Sequence, residues 1–115
     1  MITQKTFYKK IENRIAVLDI DLDLGGYQKE FPNVNFQNKP TFWISRLSVP
    51  EKLRNKKIAT TLMTELINWL DNNEYNAIIC ANPYGDLNLN QLIKLYSKFG
   101  FTFNEHNIGY RLYQK

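Results

Sequence analysis

TFWISRLSVPEKLRNKKIATTLMTELINWLDNNEYNAIICAN, residues 41–82, decides the fold. Its opening, TFWISRLSV at 41–49, is rich in aromatic and β-branched side chains and is closed by Pro50, which reads as a strand. After a basic loop, Ile58, Leu62, Met63, Leu66, Ile67, Trp69 and Leu70 recur at helical spacing, with Thr60, Thr61, Thr64, Glu65 and Asn68 on the opposite face. The spacing predicts a helix over 57–70, ended by Asp71, Asn72 and Asn73. NAIICAN, 76–82, is short and apolar on both faces, as a buried parallel strand should be. Strand, helix and parallel strand make a βαβ unit, whose crossover is right-handed by rule.

Working outward, the upstream half reads as β structure. Residues 6–11 form a strand candidate, followed by a turn at Glu12, Asn13 and Arg14. Leu18, Ile20, Leu22 and Leu24 then alternate with Asp19, Asp21 and Asp23, the pattern of a half-buried antiparallel strand. On a strand the aspartate row is the wet face rather than a metal triplet. Gly25 and Gly26 end it. Residues 25–40 show no period and are long for a connection. A turn of helix is expected around 27–31, stopped by Pro32. The aromatics Tyr27, Phe31 and Phe36 favour a loop that packs on something.

Downstream, 83–86 reads as a turn. A second amphipathic helix follows over 88–99, with Leu89, Leu92, Ile93, Tyr96 and Phe99 on one stripe. Gly100 supplies its left-handed terminator. Strands at 101–105 and 110–114, joined through His106 to Gly109, close the chain. The expected order is β-β-β-α-β-α-β-β: a mixed, mostly antiparallel sheet with helices, of α/β (α+β) class.

Length and composition agree with one domain over 1–115, since 115 residues with 43% hydrophobic content can build one core. The single cysteine, Cys80, excludes an internal disulfide and suits a reducing compartment. No apolar run approaches the ~20 residues of a membrane span. Residues 1–5 lack a signal peptide's apolar stretch, so a cytoplasmic protein is expected.

The formal charge of +4 is mild, and its placement says more. Arg46, Lys52, Arg54, Lys56 and Lys57 crowd beside the start of the first long helix. A helix start offers unpaired N–H groups and the positive end of the macrodipole, and so accepts phosphate oxygens. The residues there, Ala59, Thr60 and Thr61, are small enough for a pyrophosphate to approach the backbone.

RNKKIA, Arg54 to Ala59, resembles the R/Q-x-x-G-x-G/A segment of the GNAT N-acetyltransferases, after a strand ending Leu47-Ser48-Val49. LIKLYSKFGF, Leu92 to Phe101, resembles the same family's L-Y-x-K-x-G-F element. Together they cover the chain from about Trp43 onward, in the family's β-α-β-α order. The resemblance implies acetyl-CoA as co-substrate, an amine acceptor (a small molecule, a peptide or a protein lysine) and no metal. Backbone groups at Leu47, Ser48 and Val49 would take the pantetheine arm. Asn55, Lys57, Ile58, Ala59 and Thr60 would hold the pyrophosphate through the backbone, with Arg54 and Lys56 nearby. Tyr96 would protonate the departing thiolate, and Asn88 or Asn90 would contact the cofactor.

The chain departs from the family pattern at three points. Lys57 stands at the first glycine of the motif; as the residue opening a helix it is expected to have helical φ. Asn88 and Asn90 flank the family's asparagine position, which here is Leu89. The two helices usual between the family's first strands have no counterpart before Thr41, and these help form the acceptor site.

Periodicity alone makes Tyr96 a core residue; the family pattern makes it the acid. Cys80, between Ile79 and Ala81, reads as a buried inert thiol, and His106 as an exposed turn residue. No carboxylate is placed as a general base, Glu51 included. Two further readings remain beside acyl transfer. One is a GNAT-fold protein without catalysis that binds a protein partner. The other is nucleic-acid binding, disfavoured because no aromatics interleave the basic cluster. The oligomeric state is left open, a homodimer included.

Overall fold

A computed structural model describes residues 2–53, 57–82 and 88–115. The element order is β1 (Gln4–Ile11), β2 (Arg14–Asp23), α1 (Gly26–Glu30), β3 (Thr41–Ser48), α2 (Ile58–Asn73), β4 (Asn76–Cys80), α3 (Leu89–Lys98), β5 (Thr102–Phe103) and β6 (Ile108–Arg111). A 3₁₀ turn, Glu51–Leu53, follows β3. The strands form one sheet ordered β1-β2-β3-β4-β6-β5. Only β3 and β4 run parallel, joined through α2; the other neighbours are antiparallel. The mixed, mostly antiparallel sheet around a βαβ unit is thus the architecture the sequence implies.

The two sheet faces are covered differently. On one, Leu18, Ile20, Phe42, Ile44 and Ala77 pack against Leu62, Met63, Leu66 and Leu70 of α2 and Leu92 and Tyr96 of α3. The four α2 residues are fully buried, and each contributes roughly 1.5–3 kcal/mol by leaving water. Phe42 sits under Trp69 and Tyr75, with ring centroids at 5.5 and 5.1 Å. On the other face no long helix lies among the described residues. There α1 and the chain after it press Tyr27, Phe31, Val34 and Phe36 onto Trp43, Ile78 and Tyr110. The rings meet edge to face, Tyr27 on Phe36 at 4.6 Å and Phe31 on Tyr110 at 4.9 Å. The patternless 25–40 segment therefore packs on the sheet, as its aromatics suggested.

Buried Asn76 locks that segment down. Its N–H donates to the Pro40 carbonyl and its Nδ2 to the Phe36 carbonyl, both at 2.9 Å; its Oδ1 accepts the Tyr113 N–H at 2.9 Å. A buried amide with its donors and acceptor satisfied costs little and fixes three segments at once.

Several expected boundaries move, for local reasons. Leu24 is 92% exposed rather than on the inner face of β2. The strand stops at Asp23, whose carboxylate accepts the Tyr27 N–H at 2.7 Å and draws the chain into α1, leaving Leu24 outside. Helix α2 runs through Asp71, Asn72 and Asn73, because Asn73 Nδ2 bonds the Trp69 carbonyl and Arg111 holds Asp71 in place. It ends at Glu74 in the left-handed conformation. Strand β6 starts at Ile108, earlier than expected, because Asn104 Oδ1 accepts from both His106 and Ile108 and makes a tight turn. His106 is exposed in that turn. The turn expected at 83–86 lies outside the described residues.

Candidate functional site

The site begins with one extra residue in β3. Asp19 pairs with Arg46, but the next β2 residue, Ile20, pairs with Ile44, so Ser45 is a β-bulge. A bulge bends its strand and shifts the side-chain alternation by one position. Phe42 and Ile44 point to the helix side, and beyond the bulge that phase passes to Leu47 rather than Arg46. Arg46 is consequently turned outward.

At the same point the parallel ladder ends. β3 pairs with β4 from Thr41↔Asn76 to Ile44↔Ile79, then continues with β2 alone to Ser48. β4 continues with β6 alone to Cys80↔Ile108. The two strands part, and between them lies a cleft of about 390 Å³ bordered by Ile44–Ser48 on one wall and Ile79, Cys80 and Asn82 on the other. Tyr96 of α3 closes its base, 3% exposed, with the Phe101 and Phe103 rings at 6.4 and 6.3 Å. These rings, rather than Phe99, are its aromatic neighbours. A second hollow of about 270 Å³, within residues 28–38, is lined by no titratable side chain and offers no chemistry of its own.

The start of α2 carries the other residues that the sequence singles out. Thr61 is the first residue whose N–H reaches a helical carbonyl, that of Lys57 at 3.0 Å. The N–H groups of Ile58, Ala59 and Thr60 therefore lack acceptors within the helix and project from its positive end. Lys57 does not have the helical φ expected of it. It is the N-cap, left-handed at φ 59° and ψ 24°. The motif's glycine position thus carries a glycine-type conformation on a lysine. Lys57 and Thr60 are exposed, Ile58 and Ala59 half-buried.

The remaining sequence candidates fall as follows. Leu47 and Ser48 border the cleft, and Val49 packs half-buried against the core. Arg54, Asn55 and Lys56 lie outside the described residues. Asn88 is the N-cap of α3: its Oδ1 accepts the Gln91 N–H and Gln91 Oε1 accepts the Asn88 N–H, both at 2.9 Å, forming a capping box. Asn90 is exposed on the first turn, and neither asparagine borders the cleft. Cys80 corrects the buried-thiol expectation: it is partly exposed and borders the cleft, its Sγ 3.7 Å from Asn82 Oδ1. Arg46, which the sequence places only in the basic cluster, borders the cleft instead, and bulge residue Ser45 has no role in the sequence reading. The signal was present, since the apolar phase of TFWISRL slips between Ile44 and Leu47.

Among the described residues no group of three or more His, Cys, Asp or Glu side chains is placed to hold a metal. No helix among them is long and apolar enough to cross a membrane.

The sheet thus opens between its two parallel strands, and buried Tyr96 borders the gap. The Acetyltransferase (GNAT) family model matches residues 24–101, and the chain belongs to that family. Among solved structures, the anti-CRISPR protein AcrVA5 is similar, with a TM-score of 0.58 over 91% of this chain and 96% of that one. At 10% identity this likeness concerns the fold. No curated protein matches the chain.

Proposed function

We propose that the chain transfers an acetyl group from acetyl-CoA to an amine by direct attack on the thioester. One observation carries this reading: the strands part at Ile44 and Ile79, and Tyr96 borders the gap they leave. Acetyl-CoA, when bound, supplies the activated acyl group. The cleft suits its pantetheine arm, since backbone at Leu47, Ser48 and Val49 continues past the last β4 partner. The N–H groups of Ile58, Ala59 and Thr60, which have no acceptor within the helix, suit its phosphates, aided by Arg54, Asn55, Lys56 and Lys57. Asn88 or Asn90 adds a contact at the cofactor's edge. Tyr96 gives its phenolic proton to the departing thiolate. The reading is that of a cytoplasmic enzyme without metal or nucleic acid.

A second reading keeps the fold without catalysis and gives its surface to a protein partner. Lys57 favours it, because it sets a long side chain where the family has glycine. Thermal unfolding with acetyl-CoA and with desulfo-CoA separates the two. At about 100 times its dissociation constant a ligand adds roughly 2.7 kcal/mol, which for a domain of this size raises the midpoint by on the order of ten degrees. No shift with either compound at millimolar concentration moves the conclusion to the second reading.

A further inference from the structure

The cleft wall formed by β3 carries a guanidinium held from one side by a carboxylate of β2. Leu18 and Ile20 face the helices, so Asp19 between them lies on the opposite sheet face, flanked across the strands by Thr6 and Arg46. The Thr6 hydroxyl donates to Asp19 Oδ1 and Arg46 Nε to Asp19 Oδ2 at 3.0 Å. The Ser45 hydroxyl donates to the Asp19 carbonyl at 3.1 Å, tying the bulge to the same residue. Both carboxylate oxygens are thus engaged, and the guanidinium is fixed by its Nε edge. Its two terminal nitrogens have no partner among the described residues, and Arg46 borders the cleft. A guanidinium held this way still presents a coplanar pair of donors end-on, which matches the two oxygens of a carboxylate.

The surrounding charge agrees. On this face exposed Lys10 and Arg46 lie toward the cleft end of the strands. Asp21 and Asp23, opposite Trp43 and Thr41, lie toward the other end. An anion approaching the cleft from the face away from the helices therefore meets cations first. In the acyl-transfer reading the start of α2 takes the cofactor's phosphates, which leaves this face for the second substrate.

We infer that Arg46 is a specificity-determining residue that binds a carboxylate on the acceptor, and that the acceptor is a small amine bearing a carboxylate, of the amino-acid type. The inference rests on the acyl-transfer reading. Asp19 acts as a positioning residue, holding the guanidinium in register with the cleft.

The test uses the full chain, acetyl-CoA, and pairs of amines differing only in the acid. These are the common α-amino acids, β-alanine and γ-aminobutyrate, each against its amide. Thiol release gives turnover, and thermal shift of the desulfo-CoA-saturated protein gives acceptor binding without turnover. At least one acid is expected to be preferred over its amide by about tenfold or more, through KM. Arg46→Gln should abolish that preference, Arg46→Lys should restore part of it, and Asp19→Asn should weaken it. Equal use of acid and amide, persistence of the preference in Arg46→Gln, or desulfo-CoA binding with no acid recognised would each overturn the inference alone. Absence of any shift with desulfo-CoA or acetyl-CoA would overturn the acyl-transfer reading and this inference with it.

Discussion

Arg111 grips Asp71 with both terminal nitrogens, at 2.7 and 3.0 Å, while its Nε bonds the Phe99 carbonyl at 2.6 Å. One side chain from β6 thereby ties the last turn of α2 to the C-cap of α3, and the Gln114 N–H adds a third bond to Asp71 at 2.9 Å. The Arg111 side chain is 4% exposed and that of Asp71 23%. Removing one partner of such a pair strands a buried charge, so Arg111→Met should lower unfolding stability by about 3–5 kcal/mol, read from urea midpoints.

The same contact sets an acid dependence. Burial pushes the Asp71 carboxyl up, but the bonds from Arg111 and Gln114 outweigh it and hold its pKa below the ordinary 3.8. The folded protein thus binds fewer protons there than the unfolded chain. The stabilisation is complete above the ordinary carboxylate value and is lost as pH falls through the lowered one. Glu74, lowered chiefly by its hydrogen bond from Lys39, acts in the same direction. Stability should therefore decline with acid below about pH 4, and less steeply in Asp71→Asn, as checked by urea midpoints across that range.

Lys57 holds a left-handed φ that glycine adopts freely. A non-glycine residue in that region costs roughly 1–2 kcal/mol. Lys57→Gly should raise stability by up to about 1 kcal/mol, the unfolded-chain entropy of glycine offsetting part of the relief. The comparison of urea midpoints should be accompanied by acetyl-CoA titration. Binding should stay nearly unchanged, losing only the contribution of one cation; a many-fold gain would mean that Lys57 obstructs the site and would favour the second reading.

Deleting Ser45 should be tolerated by the sheet. Without the extra residue Ile44, Arg46 and Leu47 fall opposite Ile20, Asp19 and Leu18 in unbroken alternation, so Arg46 stays outward and Leu47 inward. What is lost is the bend and the bond from the Ser45 hydroxyl to the Asp19 carbonyl. The deletion should cost about 1–3 kcal/mol in urea midpoints, against less than about 0.5 kcal/mol for Ser45→Ala at this exposed position. Complete unfolding of the deletion variant would mean that the bulge sets more than the local bend.

Tyr96→Phe isolates the hydroxyl from the ring. Stability should fall by no more than about 1 kcal/mol. Turnover should fall by roughly 10² or more, with acetyl-CoA affinity nearly unchanged. Retention of full transfer would make Tyr96 a packing residue and leave the proton to water.

The elements that sequence patterning predicts well are those with a period. The α2 stripe from Leu62 to Leu70, the doubly apolar NAIIC of β4 and the Leu92–Tyr96 face of α3 all lie where periodicity puts them. What sequence did not disclose depends on pairing between distant residues. The left-handed conformation of Lys57 runs against lysine's own preference, so residue type could not announce it. Cys80 is half-exposed because β3 leaves β4 one residue earlier, a fact written in β3 and not around Cys80. The Asp19–Arg46 pair joins residues on different strands through a bulge, and neither local sequence announces it.

Ser45 also divides β3 into two territories. Thr41 to Ile44 answer to the core and to β4, whereas Arg46 and Ser48 face open space and answer to whatever enters the cleft. Changes in the second territory that touch no shared partner should leave the first almost unaffected. A lineage of such proteins could therefore retune what it recognises along one half of a strand while the other half keeps the fold, the two evolving at separate rates within eight consecutive residues.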